Sequence, residues 1–420
     1  MLKKIITIIL IWEAKVVLSR WKPKIIGITG SVGKSSSKEL ISCVLEKRFT
    51  VRKNPKSYNS EIGVALSILG FESGRKNIFI WIKNIVLGFF QIFSRKFPNI
   101  LILEMGIDRP KDMDKLLRIV RPNIAVFTAV GEIPVHVEFF SGPNELAEEK
   151  GKIFKYLKSE DYAILNFDDL AVFDFKDKIR TNVLSFGFGD GADFRASNYK
   201  VNQQGSTFKV DYEGSSVPVR LDGVFGKHNV YAILSAFVAG EIMGMKLIEI
   251  SEYVSLCNFL PGRLKMLNGI KNSKILDDTY NSSPASLHAA LDTMRDLESA
   301  RKIAILGDML EIGKYTIEAH KMMGQKSKDI VDILVTVGMR AKFASDEALS
   351  LGMEKKNIFH FSTSKEASAH VKDLIKEGDL ILVKGSQAMR MEKIVEEIIA
   401  NPEDKKVFLV RQDKIWTKKF

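Results

Sequence analysis

A glycine-rich stretch that ends in a lysine and two serines is the feature of this chain that most directly predicts chemistry. It occupies residues 27–36, directly after the apolar run at 24–26 and before a helical pattern, and it reads Gly-Ile-Thr-Gly-Ser-Val-Gly-Lys-Ser-Ser. In such a strand–loop–helix, backbone N–H groups and the helix N-terminus surround phosphate oxygens. Lys34 would reach the β- and γ-phosphates, and the Ser35 hydroxyl would hold Mg²⁺. We therefore predict an ATP or GTP site that includes Thr29, Gly30, Ser31, Gly33, Lys34, Ser35 and Ser36.

The alternative is a structural glycine turn, because Ile28 stands where the strict phosphate-loop pattern has glycine. Glu104 supports the nucleotide site: it ends a buried apolar strand, and an acid beside a phosphate loop can bind the nucleotide's Mg²⁺. Without a nucleotide, Glu104 would be a strand-end carboxylate in a turn.

Two further side chains are candidates for this site. His136 lies just past the strand predicted at 123–128, on the edge of a parallel sheet where ligands bind. A lone histidine in a loop is otherwise solvated. Lys150 follows Glu148 and Glu149, and these acidic neighbours favour an ordinary helix-surface lysine.

The composition is that of a folded globular protein. The 420 residues are 45% apolar and 27% charged, which predicts two to three domains with real cores. Cys43 and Cys257 offer neither a disulfide framework nor a zinc site. We expect both to be small buried apolar residues in a reducing compartment.

The net charge of +12 is concentrated in two short segments, 1–24 and 75–96, which contribute +5 each and are otherwise very apolar. No nucleic-acid-binding module is present in the pattern. Basic residues among Ile, Leu, Phe and Trp favour contact with an anionic membrane surface. The alternative is that these segments pack on the core or on a partner subunit.

Neither segment is long enough to cross a bilayer. Glu13 and Lys15 interrupt the first, and the second is apolar over only 16 residues, 78–93. There, a narrow polar stripe leaves a wide apolar helical face; the stripe consists of Asn84, Gly88, Gln91 and Arg95. A cleaved signal peptide is not expected, since ATP chemistry places the chain in the cytoplasm.

The remaining pattern alternates strands and helices and predicts an α/β protein. Segment 180–222 has short alternating runs that indicate a small antiparallel patch. A Leu-Pro-Gly-Arg sequence at 260–263 marks a boundary, after which the alternation restarts. We expect a basic apolar helix at 1–23, a phosphate-loop ATPase domain with a parallel sheet at 24–260, interrupted by an apolar basic helix at 75–97, and a Rossmann-like α/β domain at 261–420.

The motifs in combination resemble the Mur ligase family from residue 24 to about 400. The resemblance rests on the phosphate loop, Glu104-Met-Gly, His136 and Lys150. It extends through Asn-Ser-Glu-Ile-Gly at 59–63, Gly-Lys-His-Asn at 226–229, Pro-Gly-Arg at 261–263, Asp-Asp-Thr-Tyr-Asn at 277–281, Gly-Asp-Met at 307–309, His320, and Lys-Gly-Ser at 384–386. Within the family, the Asp-Asp-Thr-Tyr-Asn, Gly-Asp-Met and Lys-Gly-Ser motifs resemble those of the members that join D-alanyl-D-alanine to a UDP-muramyl tripeptide.

The resemblance implies an ATP-dependent amide ligase of peptidoglycan precursor synthesis, which works through an acyl phosphate. It implies catalytic roles for Lys34, His136 and Lys150, and two Mg²⁺ ions held by Ser35, Glu104, His136 and a Lys150 that is often carbamylated in the family. Asn229, Arg263 and Asp278 would contact the nucleotide. The nucleotide-sugar peptide and the dipeptide would lie near Asn59, Tyr280, Asn281, Lys384 and Ser386.

The sequence departs from the family pattern at three places, so the resemblance supports the type of reaction better than the identity of the substrate. Only some 23 residues precede the ATPase strand, where these ligases carry a domain that grips the UDP-sugar. Ser282-Ser283 replaces the usual Ala-Asn, and Gln387 replaces an Arg. The alternatives are a Mur-like ligase of the folylpolyglutamate or poly-γ-glutamate type, and a non-enzymatic ATP-binding scaffold docked on the membrane. The Asp-Asp-Thr-Tyr-Asn run counts against the first, and the intact metal-site residues count against the second.

Overall fold

The computed structural model describes residues 2–55, 58–413 and 416. Within them, the first of two sheets has nine strands in the order β2-β3-β1-β4-β5-β6-β7-β8-β9. These strands are β1 Lys24–Thr29, β2 Val51–Lys53, β3 Ile100–Glu104, β4 Ile124–Phe127, β5 Tyr162–Asn166, β6 Asn182–Gly187, β7 Phe194–Asn202, β8 Gly205–Tyr212 and β9 Ser215–Asp222.

The antiparallel patch is smaller than predicted. β6 pairs in parallel with β5 and also with β7, so it extends the parallel sheet. Only the β7–β8 and β8–β9 pairs are antiparallel. The short run at 183–186 could not reveal this, because its direction is set by the chain that leads into it.

The second sheet has six strands in the order β10-β11-β15-β12-β13-β14, and only β10 is antiparallel to its neighbour. Its strands are β10 Lys265–Asn268, β11 Lys274–Asp278, β12 Lys302–Gly307, β13 Ile333–Val337, β14 Ile358–Phe361 and β15 Leu380–Lys384. The predicted α/β class with two successive sheet domains is confirmed, whereas the exact boundary at 260/261 stays a prediction.

Helices cover the faces of both sheets. In the first half they are α1 Leu2–Trp21, α2 Lys34–Leu45, α3 Glu61–Leu69, α4 Ile78–Ile92, α5 Asp112–Leu117, α6 Pro143–Gly151, α7 Leu170–Phe173, α8 Lys227–Ile242 and α9 Leu247–Ser255. In the second half they are α10 Pro284–Asp296, α11 Thr316–Lys328, α12 Lys342–Ser350, α13 Ser364–Leu374, α14 Glu392–Ile398 and α15 Lys405–Phe408.

The two cysteines contradict the prediction of separate thiols. Cys43 in α2 and Cys257, just after α9, form a disulfide across 214 residues of sequence. The two side chains meet because α2 and α9 pack together on one face of the first sheet. Spacing alone gives no sign of such a contact, and the inference of a reducing compartment from cysteine usage loses its support.

Helix α4 packs with the first part of its polar stripe inward, whereas Arg95, the last residue of the predicted stripe, lies beyond the end of the helix and is exposed. Asn84 and Gly88 are buried, and the Asn84 side chain donates a 2.7 Å hydrogen bond to the carbonyl of Glu72. Gly88 lies against the carboxylate of Glu13 on α1, where any larger side chain would collide. The wide apolar face of α4 therefore points away from the core. Among the described residues, no helix combines the length and hydropathy needed to cross a membrane.

Glu13 gives a prediction about stability. Its side chain is 2% exposed, and burial raises its pKa to about 7 from an ordinary 4.5. The folded state thus holds the proton more tightly than the unfolded state, so the free energy of unfolding falls as pH rises from about 4.5 to about 7. We expect Glu13→Gln to raise the free energy of unfolding at pH 8, with a smaller gain at pH 5, in urea titrations.

The control for this prediction is Glu72→Gln, which changes an exposed carboxylate near the same helices. It should leave the free energy of unfolding unchanged at both pH values. A Glu13→Gln variant that is less stable than the parent at pH 8 would show that the carboxylate is needed in its charged form.

Candidate active site

The glycine-rich loop connects β1 to α2 in a conformation that only glycine adopts easily. Gly30 has φ 143° and Gly33 has φ 90°, and a Cβ on Gly30 would collide with the Thr128 hydroxyl. That hydroxyl donates to the carbonyl of Val32 at 2.6 Å, and the Ser31 N–H donates to the carbonyl of Ala129 at 2.6 Å. The end of β4 therefore holds the loop open around the N-terminus of α2.

Lys34 and Ser35 begin α2 at the centre of this loop. The Lys34 ammonium donates to the carbonyl of Gly30 at 2.7 Å and to that of Ser31 at 3.3 Å, so its charge lies over the loop. The Ser35 hydroxyl donates to Glu104 Oε2 at 3.0 Å. The predicted pair of Mg²⁺ ligands, far apart in sequence, is therefore adjacent in the fold.

Glu104 is held in place by Asn54 and Lys38. The Glu104 N–H donates to Asn54 Oδ1 at 2.9 Å, and the Asn54 amide donates to the Glu104 carbonyl at 3.2 Å. The buried Lys38 ammonium lies 3.9 Å from Glu104 Oε2. Nothing in the sequence singled out Asn54 or Lys38, although Lys38 lies one helical turn beyond Lys34.

Two residues of the predicted loop serve the fold through their side chains. The fully buried Thr29 hydroxyl donates to the carbonyl of Met105 at 3.0 Å and so ties β1 to the end of β3. Ser36 is also buried. The polar side chains that the loop itself offers are those of Ser31, Lys34 and Ser35, and all three residues are partly exposed.

Lys150 is not the surface lysine that its acidic neighbours favoured. It is 1% exposed on α6, and burial, with Lys34 nearby, lowers its pKa well below the ordinary value; Asp108, Glu104 and Glu149 oppose that shift. An amine in such a place favours its neutral form. Helical spacing to Glu148 and Glu149 could not show which face of α6 is buried.

His136 joins the two halves of the chain. Its Nδ1 lies 3.0 Å from Glu311 Oε2, its backbone N–H donates to the Glu311 carbonyl at 2.9 Å, and its Nε2 lies 3.5 Å from Asp108 Oδ1. The hydrogen bond from His136 lowers the pKa of Glu311. Asp108 and Glu311 were not among the predicted site residues; Asp108 could have been found, because it follows the same strand end as Glu104.

On the C-terminal side, Asp278 and Lys384 form a buried ion pair. Lys384 Nζ donates to Asp278 Oδ2 at 2.6 Å and to the carbonyl of Asn281 at 3.0 Å. Burial lowers the pKa of Lys384, and the charge of Asp278 opposes that shift. The pair therefore fixes the loop that carries Tyr280 and Asn281.

Asn229 and Arg263 connect this loop to the first half. The Asn229 amide donates to the carbonyls of Phe225 and Arg263 at 2.8 and 3.1 Å. The Arg263 guanidinium lies over the Tyr280 ring, 4.0 Å from its centroid. Asn229 thus positions Arg263 in this structure.

The short loop after β15 is fixed in the same region. The Ser386 hydroxyl accepts the Leu310 N–H at 2.9 Å, and Asn281 Oδ1 accepts the Gln387 N–H at 3.3 Å. Ser386 and Asn281 therefore connect three segments of the C-terminal half.

A cavity of about 770 Å³ lies between the two halves and collects most of the predicted residues. Its lining includes Ser31, Gly33, Lys34, Ser35, Asn59, Glu104, His136, Arg263, Tyr280, Asn281 and Ser386. It also includes residues not predicted, among them Asp108, Glu311 and Arg390. Seven predicted residues lie outside the lining: Thr29, Gly30, Ser36, Lys150, Asn229, Asp278 and Lys384.

The donor set fits a metal that arrives with a nucleotide. Within the described residues, no group of three or more His, Cys, Asp or Glu side chains is arranged to hold a metal ion unaided. Mg²⁺ is commonly bound by one or two protein oxygens together with substrate phosphates and water. The Ser35 hydroxyl and the Glu104 carboxylate, beside a phosphate loop, are suited to that kind of site.

This fit can be tested with Glu104→Gln, which keeps the shape of the side chain and removes its charge. We expect nucleotide-dependent turnover to need about tenfold or more Mg²⁺ for half-maximal rate, because one charged oxygen ligand is lost. The matched control is Glu148→Gln on the exposed face of α6. An unchanged Mg²⁺ dependence in Glu104→Gln would remove Glu104 from the metal site.

Comparisons with known proteins agree with this arrangement. The Mur ligase middle domain matches residues 86–240, and the Mur ligase glutamate ligase domain matches residues 262–387. The UDP-N-acetylmuramoyl-tripeptide–D-alanyl-D-alanine ligase of Bacillus subtilis is 29% identical over 391 residues, which span 93% of this chain and 79% of that protein.

Solved structures share the fold. MurF from Acinetobacter baumannii has a TM-score of 0.77 at 23% identity, covering 92% of this chain and 78% of its own. MurF from Thermotoga maritima, solved in complex with ADP, has a TM-score of 0.75 at 23% identity, covering 93% and 83%. Together the two family domains account for more than half of the chain, and each contributes residues to the lining of the cavity, so the protein belongs to the Mur ligase family.

Proposed function

We propose that this chain is an ATP-dependent ligase of peptidoglycan precursor synthesis that joins D-alanyl-D-alanine to a UDP-muramyl tripeptide. The proposal rests on the observation that one cavity is lined both by the phosphate loop and by the Tyr280-Asn281 and Ser386 loops of the C-terminal half. The name of the Bacillus subtilis relative supports the substrates, and the ADP complex of the Thermotoga neighbour supports the nucleotide.

The proposed reaction has two steps. A carboxylate oxygen of the tripeptide attacks the γ-phosphorus of ATP, the bond to the ADP oxygen breaks, and an acyl phosphate and ADP result. The amine of the dipeptide then attacks the acyl carbon, phosphate leaves, and the amine proton passes to a base. Both steps gather negative charge, which Lys34 at the centre of the loop would stabilise. Mg²⁺ at Ser35 and Glu104 would neutralise phosphate charge.

His136 and Lys150 would support a second Mg²⁺ ion. We propose that Lys150 carries a carbamate, formed when its neutral amine attacks CO₂ and loses a proton. Its complete burial and lowered pKa favour the neutral amine that this reaction needs. The product is a carboxylate-like group, which would suit a cation where a lysine would repel one.

We assign the nucleotide contacts to Ser31, Lys34, Ser35 and Arg263, and the substrate contacts to Asn59, Tyr280, Asn281 and Ser386, all of which line the cavity. Asn229, Asp278 and Lys384 would act by positioning them. We place the reaction in the cytoplasm, where ATP is available, at the inner face of the membrane, which the exposed basic helices α1 and α4 support.

The deciding experiment is a substrate panel. Purified protein with ATP and Mg²⁺ is given D-alanyl-D-alanine and UDP-muramyl tripeptides, separately and together. We expect phosphate release only with both, and a product whose mass equals the two substrates less one water. The assignment would be overturned if the rate of ATP hydrolysis did not depend on the two substrates, or if a product formed only from a folate and glutamate.

A further inference from the structure

The outward faces of α1 and α4 form one surface, here called the α1–α4 surface. We propose that it docks reversibly on a lipid bilayer that contains anionic phospholipid. The two helices pack on each other, and α1 also packs on α3. The surface is therefore part of the folded ATPase half of the chain.

The surface carries more than half of the large apolar side chains that are exposed in the described residues. On α4, Phe79 is 77% exposed and Phe90 is 63% exposed. The others are Ile5, Ile8, Trp12, Ile78, Ile80, Ile82, Val86, Leu87, Phe89 and Phe93. Exposed apolar surface of this extent marks an interaction site in a folded protein.

The exposure follows from how the two helices pack. α4 buries Asn84 and Gly88, which leaves its phenylalanines on the opposite side. On α1, the exposed residues Ile5, Ile8 and Trp12 recur at helical spacing, while Ile6 and Leu10 between them are buried. Rotating α4 to bury its apolar face would place Asn84 in solvent and break its hydrogen bond to Glu72.

The positive charge around the apolar surface indicates which kind of partner would bind there. Nine exposed cations lie on and beside the two helices, and no ion pair within the described part of the chain neutralises them: Lys4, Lys15, Arg20, Lys22, Arg75, Lys76, Lys83, Arg95 and Lys96. Of the acids in these segments, Glu13 is buried, and only Glu72 is exposed at the border. Apolar residues flanked by lysine and arginine match a membrane interface with anionic headgroups.

A groove of about 540 Å³ adds a place for a headgroup. Its lining combines the cations Lys15 and Arg20 with the apolar side chains of Trp12, Val16 and Ile92, and with Ser19. The phosphate of an anionic phospholipid would pair with the two cations, while the acyl chains of the same lipid follow the apolar face of α4. A second copy of this chain fits less well, because it would bring the same cations face to face.

Because neither helix is suited to spanning a bilayer, the contact we infer is peripheral and reversible. Electrostatic attraction of this kind is screened over a Debye length of about 8 Å at physiological salt. Docking should therefore weaken as salt is added, while the apolar contribution remains.

The test uses the full chain in sedimentation with two kinds of vesicle, phosphatidylcholine alone and phosphatidylcholine mixed with phosphatidylglycerol. We expect clear binding to the mixed vesicles at low salt and little to the neutral ones. The variant carries Phe79→Asp and Phe90→Asp, which lie about three helical turns apart on one side of α4. The variant should bind the mixed vesicles at least about tenfold more weakly than the parent, since two apolar contacts become anionic.

The matched control is Leu170→Asp, which changes a residue 76% exposed on α7 and should bind as the parent does. The proposal fails if the parent ignores mixed vesicles at low salt, or if the double variant binds them equally well. It also fails if the double variant instead converts a dimer to a monomer in sedimentation velocity. ATP-dependent ligation of soluble substrates should be unchanged in the double variant, so this test and that of the ligase are separate.

Discussion

Replacing Lys34 with alanine is expected to abolish ATP-dependent ligation while leaving the fold intact. The Lys34 ammonium lies over the carbonyls of Gly30 and Ser31, at the centre of the loop that would receive the phosphates. Charge stabilisation of this kind contributes about 3–4 kcal/mol to the transition state, or roughly 10²–10³-fold in rate. The measurement is phosphate release with both substrates present.

Lys342→Ala provides a matched control. Lys342 is also the first residue of a helix, α12, but it is exposed and lies outside the cavity. Its variant should ligate at the parent rate, and both variants should melt within a few degrees of the parent. Ligation by Lys34→Ala within a few-fold of the parent would show that the loop does not hold the reacting phosphates.

The second large effect is expected from Lys150→Ala. If the buried amine carries a carbamate, its loss removes a negative oxygen ligand and should reduce ligation by about 10²-fold or more. Short-chain carboxylates such as acetate should restore part of the activity by occupying the vacated space. Mass spectrometry of the parent, kept near neutral pH with bicarbonate, should show a lysine heavier by one CO₂.

The neighbouring Lys152→Ala is the control, because Lys152 is half-exposed and already paired with Asp114 and Glu149. It should keep its activity and show no response to acetate. An unmodified Lys150 in the parent, together with no rescue of the alanine variant, would leave Lys150 as a buried structural amine.

The sequence predicted those features that depend on neighbouring residues. The phosphate loop could be predicted because its glycines, lysine and serines are adjacent between a strand and a helix. Glu104 could be predicted because an acid at the end of an apolar strand lies at the sheet edge where ligands bind. Strand and helix alternation likewise predicted two mainly parallel sheets, since each element carries its own periodicity.

Features that depend on distant packing were not predicted. The burial of Lys150 depends on what covers α6, and the Cys43–Cys257 disulfide depends on the packing of α2 against α9. The contact of His136 with Glu311 joins the two halves of the chain, so neither residue's own surroundings reveal it. The outward apolar face of α4 is a related case, because an amphipathic pattern does not show which face of the helix packs on the core.

The cavity has a further consequence for the time course of the reaction. Its walls come from two separate sheets, and His136 and Glu311 join them directly across the gap. A change in the angle between the two sheets would widen or narrow the cavity, and it would require the His136–Glu311 contact to break. We therefore expect changes at Glu311 to alter the rates at which substrates enter and ADP leaves, while the contacts of the phosphate loop stay as they are.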